Sequence, residues 1–418
     1  MSFLRTRAVL ACALLTCLAS PGVVATARAQ SAAPDPFSFA RYTYGALGLT
    51  PGFWMTVGHD SNATREQVSF DDYEGIFVPQ LESWLRIGRA RIIGVSALEV
   101  LRYREQKDSG TLNHFNSASL VVPGARVSPS LTYSHRDHYA RPTGFEIGRK
   151  SRRVEDTIEG SLGVDLASRF TIAASGRQLR IRYDADAIYQ ASSLREKLNR
   201  NTDSATVSLG YNITPLTKVF AGADYVRDRF ELSPDRDGDG YRTYGGVEFD
   251  PQAFVSGAAM IGRRTFTSPT SGSPSFSGMF ASAQLAYANQ DRTRLVVGVD
   301  RDLAFSFNTN LSYYVLNSTD VGLTQRISSR LSLAATYARH TLGYNALTGP
   351  VDKNPDARQQ SVTGGLSFRV GTLTRVGVDV DHTRRLGGES WNATRVVAFF
   401  AYGTDRLQRL DRPLPGER

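Results

Sequence analysis

Two short stretches hold residues of the types that do chemistry. His135-Arg136-Asp137-His138 sets two imidazoles beside a carboxylate, the parts of a general acid–base pair. Asp235, Asp237 and Asp239, followed by Gly240, are spaced like the first half of a calcium loop. Neither set is completed. No nucleophile signature accompanies the histidines, which rules against a barrel hydrolase of the loop type. Gly246 stands where the calcium loop needs its last glutamate. His59, His114, His340 and His382 are scattered and form no helical metal pair. Both stretches read as solvated loop residues. No catalytic residue, metal or cofactor is assigned, and Asp235, Asp237 and Asp239 stay as the calcium alternative.

A more regular pattern lies in the alternation of polar and apolar side chains. Ala205, Val207, Leu209, Tyr211 and Ile213 alternate with Ser204, Thr206, Ser208, Gly210 and Asn212. A strict period of two marks a strand with one apolar and one wet face. After Thr214-Pro215-Leu216 the pattern resumes. Val219, Ala221, Ala223 and Tyr225 oppose Lys218, Gly222 and Asp224, with Phe220 out of step. Two such runs about a proline turn predict an antiparallel hairpin. Val154, Ile158, Leu162, Val164 and Leu166 likewise oppose Glu155, Thr157, Glu159, Ser161 and Asp165. From Phe170 to Tyr183 the apolar phase slips from even to odd positions, which predicts a β-bulge near Ser175-Gly176.

The same grammar runs from Gly52 to Tyr402 and predicts about eighteen strands. The first is expected at Gly52–His59. Phe115–Val122 turns into Val127–Tyr133. The last runs from Asn392 to Tyr402. Connections alternate short and long. Short ones hold Gly88, Pro123-Gly124, Pro215 and Gly371, and long ones are expected at His135–Arg153, Asp184–Arg200 and Arg339–Ala357. Asn308-Thr309-Asn310 is short where a long one is due.

The chain's start indicates the solvent. Arg5 and Arg7 precede the apolar run Ala8–Ala19, and Ala27-Arg28-Ala29 fits a cleavage site before Gln30. Residues 1–29 therefore read as a secretory signal peptide. Cys12 and Cys17 both lie within it, which excludes disulfide, Cys-metal and Cys-nucleophile chemistry from the rest. No later apolar stretch is long enough for a spanning helix. The net charge of +9 shows no clustered basic stripe of the kind nucleic acid requires.

An exported chain of long, half-apolar strands with short and long connections in alternation predicts an all-β fold. It is a single transmembrane antiparallel up-and-down β-barrel with both termini periplasmic. Residues 30–51 form an N-terminal segment, 52–402 the barrel and 403–418 a polar tail. Trp54, Tyr103, Tyr133, Tyr183, Tyr211, Tyr225, Tyr241, Tyr313, Tyr337 and Tyr402 sit near strand ends, as interfacial girdles do. If the apolar set meets lipid, the alternate set lines the lumen. Those candidates are Glu155, Glu159, Asp165, Arg180, Arg182, Ser204, Thr206, Ser208, Asn212, Lys218, Asp224, Asp379 and Asp381.

Gly58-His59-Asp60-Ser61-Asn62-Ala63-Thr64-Arg65 at the first strand's exit, and Asp237-Gly238-Asp239-Gly240-Tyr241-Arg242 leading to Gly245-Gly246-Val247, carry a resemblance. With the signal peptide, they make the chain similar to the β-barrel porins of Gram-negative outer membranes. The resemblance implies passive passage of hydrophilic solutes. It also implies a link to exopolysaccharide export, with the barrel as the polymer's outer-membrane conduit. The implied partners are outer-membrane lipid and lipopolysaccharide, the barrel-insertion machinery and periplasmic polysaccharide-export components. Phe399, Phe400 and Tyr402 would offer the insertion signal, although Gly403–Arg418 follow. The alternatives are a structural or adhesive surface barrel with a plugged lumen and, behind it, an outer-membrane barrel hydrolase.

Overall fold

Strands that alternate strictly must pair on both edges, and here each does so with its neighbours in sequence. A computed structural model describes residues 40–140, 146–147, 150–268, 275–289, 292–308, 313–344, 357–387 and 390–403. The expected signal peptide, the tail beyond Gly403, Thr309-Asn310 and the middle of the Arg339–Ala357 loop lie outside these residues.

Eighteen antiparallel strands close into one barrel. They are β1 (Leu47–Asp60), β2 (Asp72–Ile87), β3 (Ala90–Tyr103), β4 (Thr111–Val121), β5 (Val127–Ala140) and β6 (Ser151–Asp165). Then come β7 (Phe170–Tyr183), β8 (Arg200–Thr214), β9 (Thr217–Phe230), β10 (Gly238–Phe249), β11 (Val255–Thr267) and β12 (Phe276–Asn289). The circuit ends with β13 (Thr293–Phe305), β14 (Tyr313–Arg326), β15 (Leu331–Tyr344), β16 (Ala357–Val370), β17 (Thr374–Leu386) and β18 (Trp391–Tyr402). The seam joins β1 to β18 from Phe53 opposite Tyr402 to Asp60 opposite Arg395.

Beyond Tyr402 the start of β1 has no partner on β18. A short strand, Tyr42–Tyr44, folds back and covers that edge, with Tyr42 opposite Leu49. Arg41 fastens it, donating to the Pro51 carbonyl at 2.7 Å and lying 5.2 Å from the Tyr402 ring centre. This is why the first strand begins earlier than Gly52. The pairing protects an edge that β18 leaves open over Leu47–Leu49.

Directly paired residues share a face, so one assignment propagates around the wall. Trp54 points inward and packs with Ile76, Val78, Ala97, Leu101 and Ala401. On β8, Thr206 is 7% exposed and its neighbour Val207 is 60% exposed. Val207, Leu209, Ile158, Leu162, Val362 and Leu366 all stand exposed on the convex surface. That surface is the apolar band that a bilayer solvates.

The strands join through short turns at one end, such as Gly88-Arg89 and Pro215-Leu216, and mostly longer connections at the other, such as residues 184–199. The even strand number leaves both ends of the barrel chain at the short-turn end. Several strands outrun the expectation at the other end. β5 continues to Ala140 and β6 starts at Ser151, so the His135–Arg153 loop shrinks to residues 141–150. β4 begins at Thr111 and β15 ends at Tyr344. These extensions stand beyond the apolar band. Their outward face meets water, so polar residues occupy both faces and the alternation fades while the pairing goes on.

The same reason corrects the bulge. β7 pairs without interruption through Ser175 and Gly176 on both sides. Below Gly176 the apolar Phe170 and Ile172 point outward. Above it Ile181 and Tyr183 point inward onto a buried cluster with Leu194, Leu198 and Phe307. The phase changes because the solvent outside changes. The girdle set divides as well. Tyr133, Tyr211, Tyr225, Tyr241, Tyr337 and Tyr402 face outward. Trp54, Tyr103 and Tyr183 face inward, and Tyr313 is buried against Phe266 and Phe276.

Inward aromatic rings lie over glycines of the adjoining strand. A Cβ on Gly262 would meet the Thr243 carbonyl oxygen at 2.1 Å and Phe280 Cε1 at 2.8 Å. A Cβ on the outward Gly364 would meet nothing within 4 Å. Gly262→Val should therefore cost about 1–3 kcal/mol by overpacking, and Gly364→Val should be neutral. The check is the temperature at which each variant loses its compact band in detergent gels.

Candidate functional site

The interior has two parts. Towards the short turns, small hydroxyl and hydrogen side chains face inward. Ser119 and Thr132 share a hydrogen bond at 2.9 Å, and Ser130 and Ser161 one at 2.7 Å. The inward Thr324, Ala334 and Thr336 are exposed, so the lumen is open there. Small residues leave width, and hydroxyls leave donors and acceptors for hydrated solutes.

Higher up, paired charges stiffen the wall. Arg242 on β10 reaches Asp224 on β9 at 2.7 Å and Asp302 on β13 at 3.5 Å. Arg264 on β11 meets Asp302 at 2.6 Å. Four strands are thereby cross-linked on their inner face. Such buried pairs hold geometry, and breaking one leaves a buried charge uncompensated.

Most of the expected lining residues face inward. Glu155, Glu159 and Asp165 do so on β6; Ser204, Thr206, Ser208 and Asn212 on β8; Lys218 and Asp224 on β9; Asp379 and Asp381 on β17. Lys218 pairs with Glu248, and Asp381 accepts from Thr363 at 2.7 Å. Arg180 and Arg182 do not join them. Both stand on the outer face and reach Glu231 at 3.3 and 3.6 Å. The inward cation of β7 is Arg177, opposite Glu159. Its parity with Leu179 and Ile181 is the signal that points to it.

The chemical candidates separate too. His135 is outward, 2.8 Å from Asp156, and Asp137 is outward, held by Arg152 at 2.8 and 2.6 Å. His138 is buried on the inner face, so the three never converge. Asp239 binds Arg229 at 2.9 Å, and Asp237 accepts from the Phe230 amide at 2.7 Å. Among the described residues no group of three or more metal-ligating side chains forms.

The mouth at the long-connection end was invisible to sequence reading. Glu146 lies between β5 and β6, and its carboxylate reaches the opposite wall. It accepts from the Ser306 hydroxyl, from the Phe307 amide at 3.2 Å and from the Tyr344 hydroxyl at 3.3 Å. Arg385 on β17 donates to its backbone carbonyl at 3.3 Å. Those partners lie far round the barrel from β5 and β6, so this contact spans the lumen. A short helix, α1 (Leu194–Leu198), reinforces it. Ser193 caps the helix, accepting from the Glu196 amide at 3.3 Å, and Leu194 and Leu198 bury themselves with Tyr189 and Phe307. Arg236 ties the next connection in, donating to Lys197 O at 2.7 Å and to Ser306 O.

Burial pushes the Glu146 carboxyl up to about 7, against the pull of Ser306, Phe307, Tyr344 and Arg236. The charged groups around it are the guanidinium groups of Arg236 and Arg385. Tyr314 also faces it, with Arg200 and Arg153 behind.

The family model described as "Putative beta-barrel porin 2" matches residues 125–398. The outer-membrane protein OpdK of Pseudomonas aeruginosa is similar in structure, with TM-score 0.46 and 11% identity, over 84% of this chain and 98% of that one. OccK3 (OpdO) of the same organism gives TM-score 0.42 and 12% identity, over 84% and 95%. No curated protein matches the sequence.

The raised Glu146 pKa gives the mouth a pH dependence of definite sign. Below the ordinary carboxyl range both the packed and the released forms are neutral, and the packed form has its full stability. Between that range and about 7, release frees a proton. Opening should then become up to about tenfold more favourable per pH unit, and level off above. Hydrogen exchange of residues 184–199, corrected for intrinsic rates, should show this rise. Glu146→Gln should flatten it.

Proposed function

The chain belongs to that β-barrel porin family, and from this premise we propose that it passes hydrophilic solutes across the outer membrane through a mouth narrowed by its own connections. The observation that carries the reading is the division of the interior. The half towards the short turns is open, its Ser, Thr, Ala and Gly side chains interspersed with charged ones such as Asp165 and the Lys218–Glu248 pair. The other half is crossed by Glu146 and packed by α1. In this reading the short turns and both termini face the periplasm, and the long connections face outside.

The lining suits polyhydroxylated solutes. Ser and Thr side chains can exchange hydrogen bonds with sugar hydroxyls as they pass. A polysaccharide bound for the cell surface is the finer form of this proposal. It would be handed over by periplasmic export components, and the mouth connections would have to swing aside for a polymer. The packed mouth also favours a second reading, a structural barrel whose lumen stays plugged.

A planar bilayer separates the two. The purified chain should give single-channel steps, and sugars of increasing size should block them up to a sharp cut-off. Replacing Glu146 by Ala should raise the open time several-fold. A silent wild type whose Glu146→Ala variant is also silent would leave only the structural barrel.

A further inference from the structure

Acidic side chains are sorted by face on one side of the wall. Strands β11 to β18 contain the acids Asp300, Asp302, Asp320, Asp379 and Asp381, and all of them face inward. Asp302 bridges Arg264 and Arg242, and Asp381 is held by Thr363 and Thr383. The outward face of the same strands carries Arg263, Arg301, Arg339, Arg358 and Arg384, and no acid. None of these arginines is ion-paired among the described residues. Arg263 donates only to Ser277, and Arg301 to Asn317 and the Met279 carbonyl.

The other side of the barrel is different. There most outward cations are neutralised, Arg152 by Asp137, Arg180 and Arg182 by Glu231, and Arg229 by Asp239, with Arg102 and Arg227 outside these pairs. The arginines without an ion pair are therefore concentrated on β11 to β18, where Arg339, Arg358 and Arg384 lie close together.

Their positions form a patch. Thr319, Arg339, Gln360, Arg384 and Asn392 lie side by side on one row of the sheet. Arg301, Asn317, Thr341 and Arg358 form the next row towards the long connections. Adjacent strands are about 4.8 Å apart, so Arg339 and Arg384 stand about 10 Å apart with Arg358 above and between them. The row beneath holds Val321, Tyr337 and Val362, the top of the apolar band. The patch thus begins where the hydrocarbon ends, at the depth of lipid headgroups.

We propose that this face binds the phosphorylated sugar headgroup of the outer-leaflet glycolipid, the arginines gripping its phosphates and the Asn, Gln and Thr side chains its hydroxyls. Guanidinium forks match phosphate oxygens in pairs, and among the described residues no carboxylate is bonded to them. Acyl chains would then run down over Tyr337, Val362 and Val396. The inference rests on the outer-membrane reading and on the long connections facing outward.

The test uses the full chain in detergent, titrated with bisphosphorylated lipid A, with bound lipid counted by native mass spectrometry. The triple variant Arg339→Gln, Arg358→Gln, Arg384→Gln should bind about tenfold more weakly or worse. Arg180→Gln with Arg182→Gln, on the neutralised side, should bind like the wild type. Lipid A stripped of phosphate should bind the wild type no better than the intact lipid binds the triple variant. Equal binding by the triple variant, or by the stripped lipid, overturns the proposal. Displacement of the lipid by millimolar inorganic phosphate overturns the choice of a lipid headgroup over a free anion. Each variant is first checked for its heat-modifiable band and its conductance, so a failed barrel is told apart from a failed lipid site. Should the triple variant not fold, Arg339→Gln and Arg384→Gln singly carry the same comparison.

Discussion

The structure depends on pairing every backbone amide within one closed sheet. Hydrocarbon offers no partner for a free N–H or C=O, so a strand that crosses a membrane must be bonded on both edges. The seam between β1 and β18 meets that demand for the eighteen-stranded circuit. Its weak point is the stretch of β1 that outruns Tyr402. The fold-back of Tyr42–Tyr44, pinned by Arg41, protects it over Leu47–Leu49. Closure then frees the side chains to be sorted by solvent alone.

That sorting explains most of what is distinctive inside. Along each strand the convex face is apolar only as far as the lipid reaches. Past that edge the hydrophobic residues turn inward, where connections from distant parts of the chain fold over the lumen and need apolar cover. Ile181 and Tyr183 meet Leu194, Leu198 and Phe307 for this reason. The mouth is a small hydrophobic core, latched by the Glu146 carboxyl and built at one end of an otherwise open cylinder. Function and packing share the same residues there. The group that holds the constriction is also one whose carboxyl pKa burial has raised.

The membrane band was legible in the sequence because period-two alternation is the direct imprint of a two-faced strand. The β8–β9 hairpin, with Ser204, Thr206 and Ser208 on one face and Val207 and Leu209 on the other, follows from that rule alone. Alternation does not report where the bilayer ends. The slip in β7 therefore suggested a bulge, and Arg180 and Arg182 were assigned to the wrong face. Trp54 and Tyr183 looked like girdle residues by their position at strand ends, although both are inner packing residues. Glu146 left no local mark. Its partners Ser306, Tyr344 and Arg385 are remote in the chain and come together only once the cylinder has closed.

The central claim is that alternate side chains of one strand meet lipid and water. A spin-label scan of β8 in lipid vesicles tests it most directly, with single cysteines placed from Ser204 to Ile213 in a background lacking Cys12 and Cys17. Collision with oxygen, which concentrates in hydrocarbon, should peak at Ala205, Val207, Leu209 and Tyr211. Collision with a water-soluble nickel chelate should peak at the residues between. A flat profile, or one with the two peaks exchanged, would contradict the account.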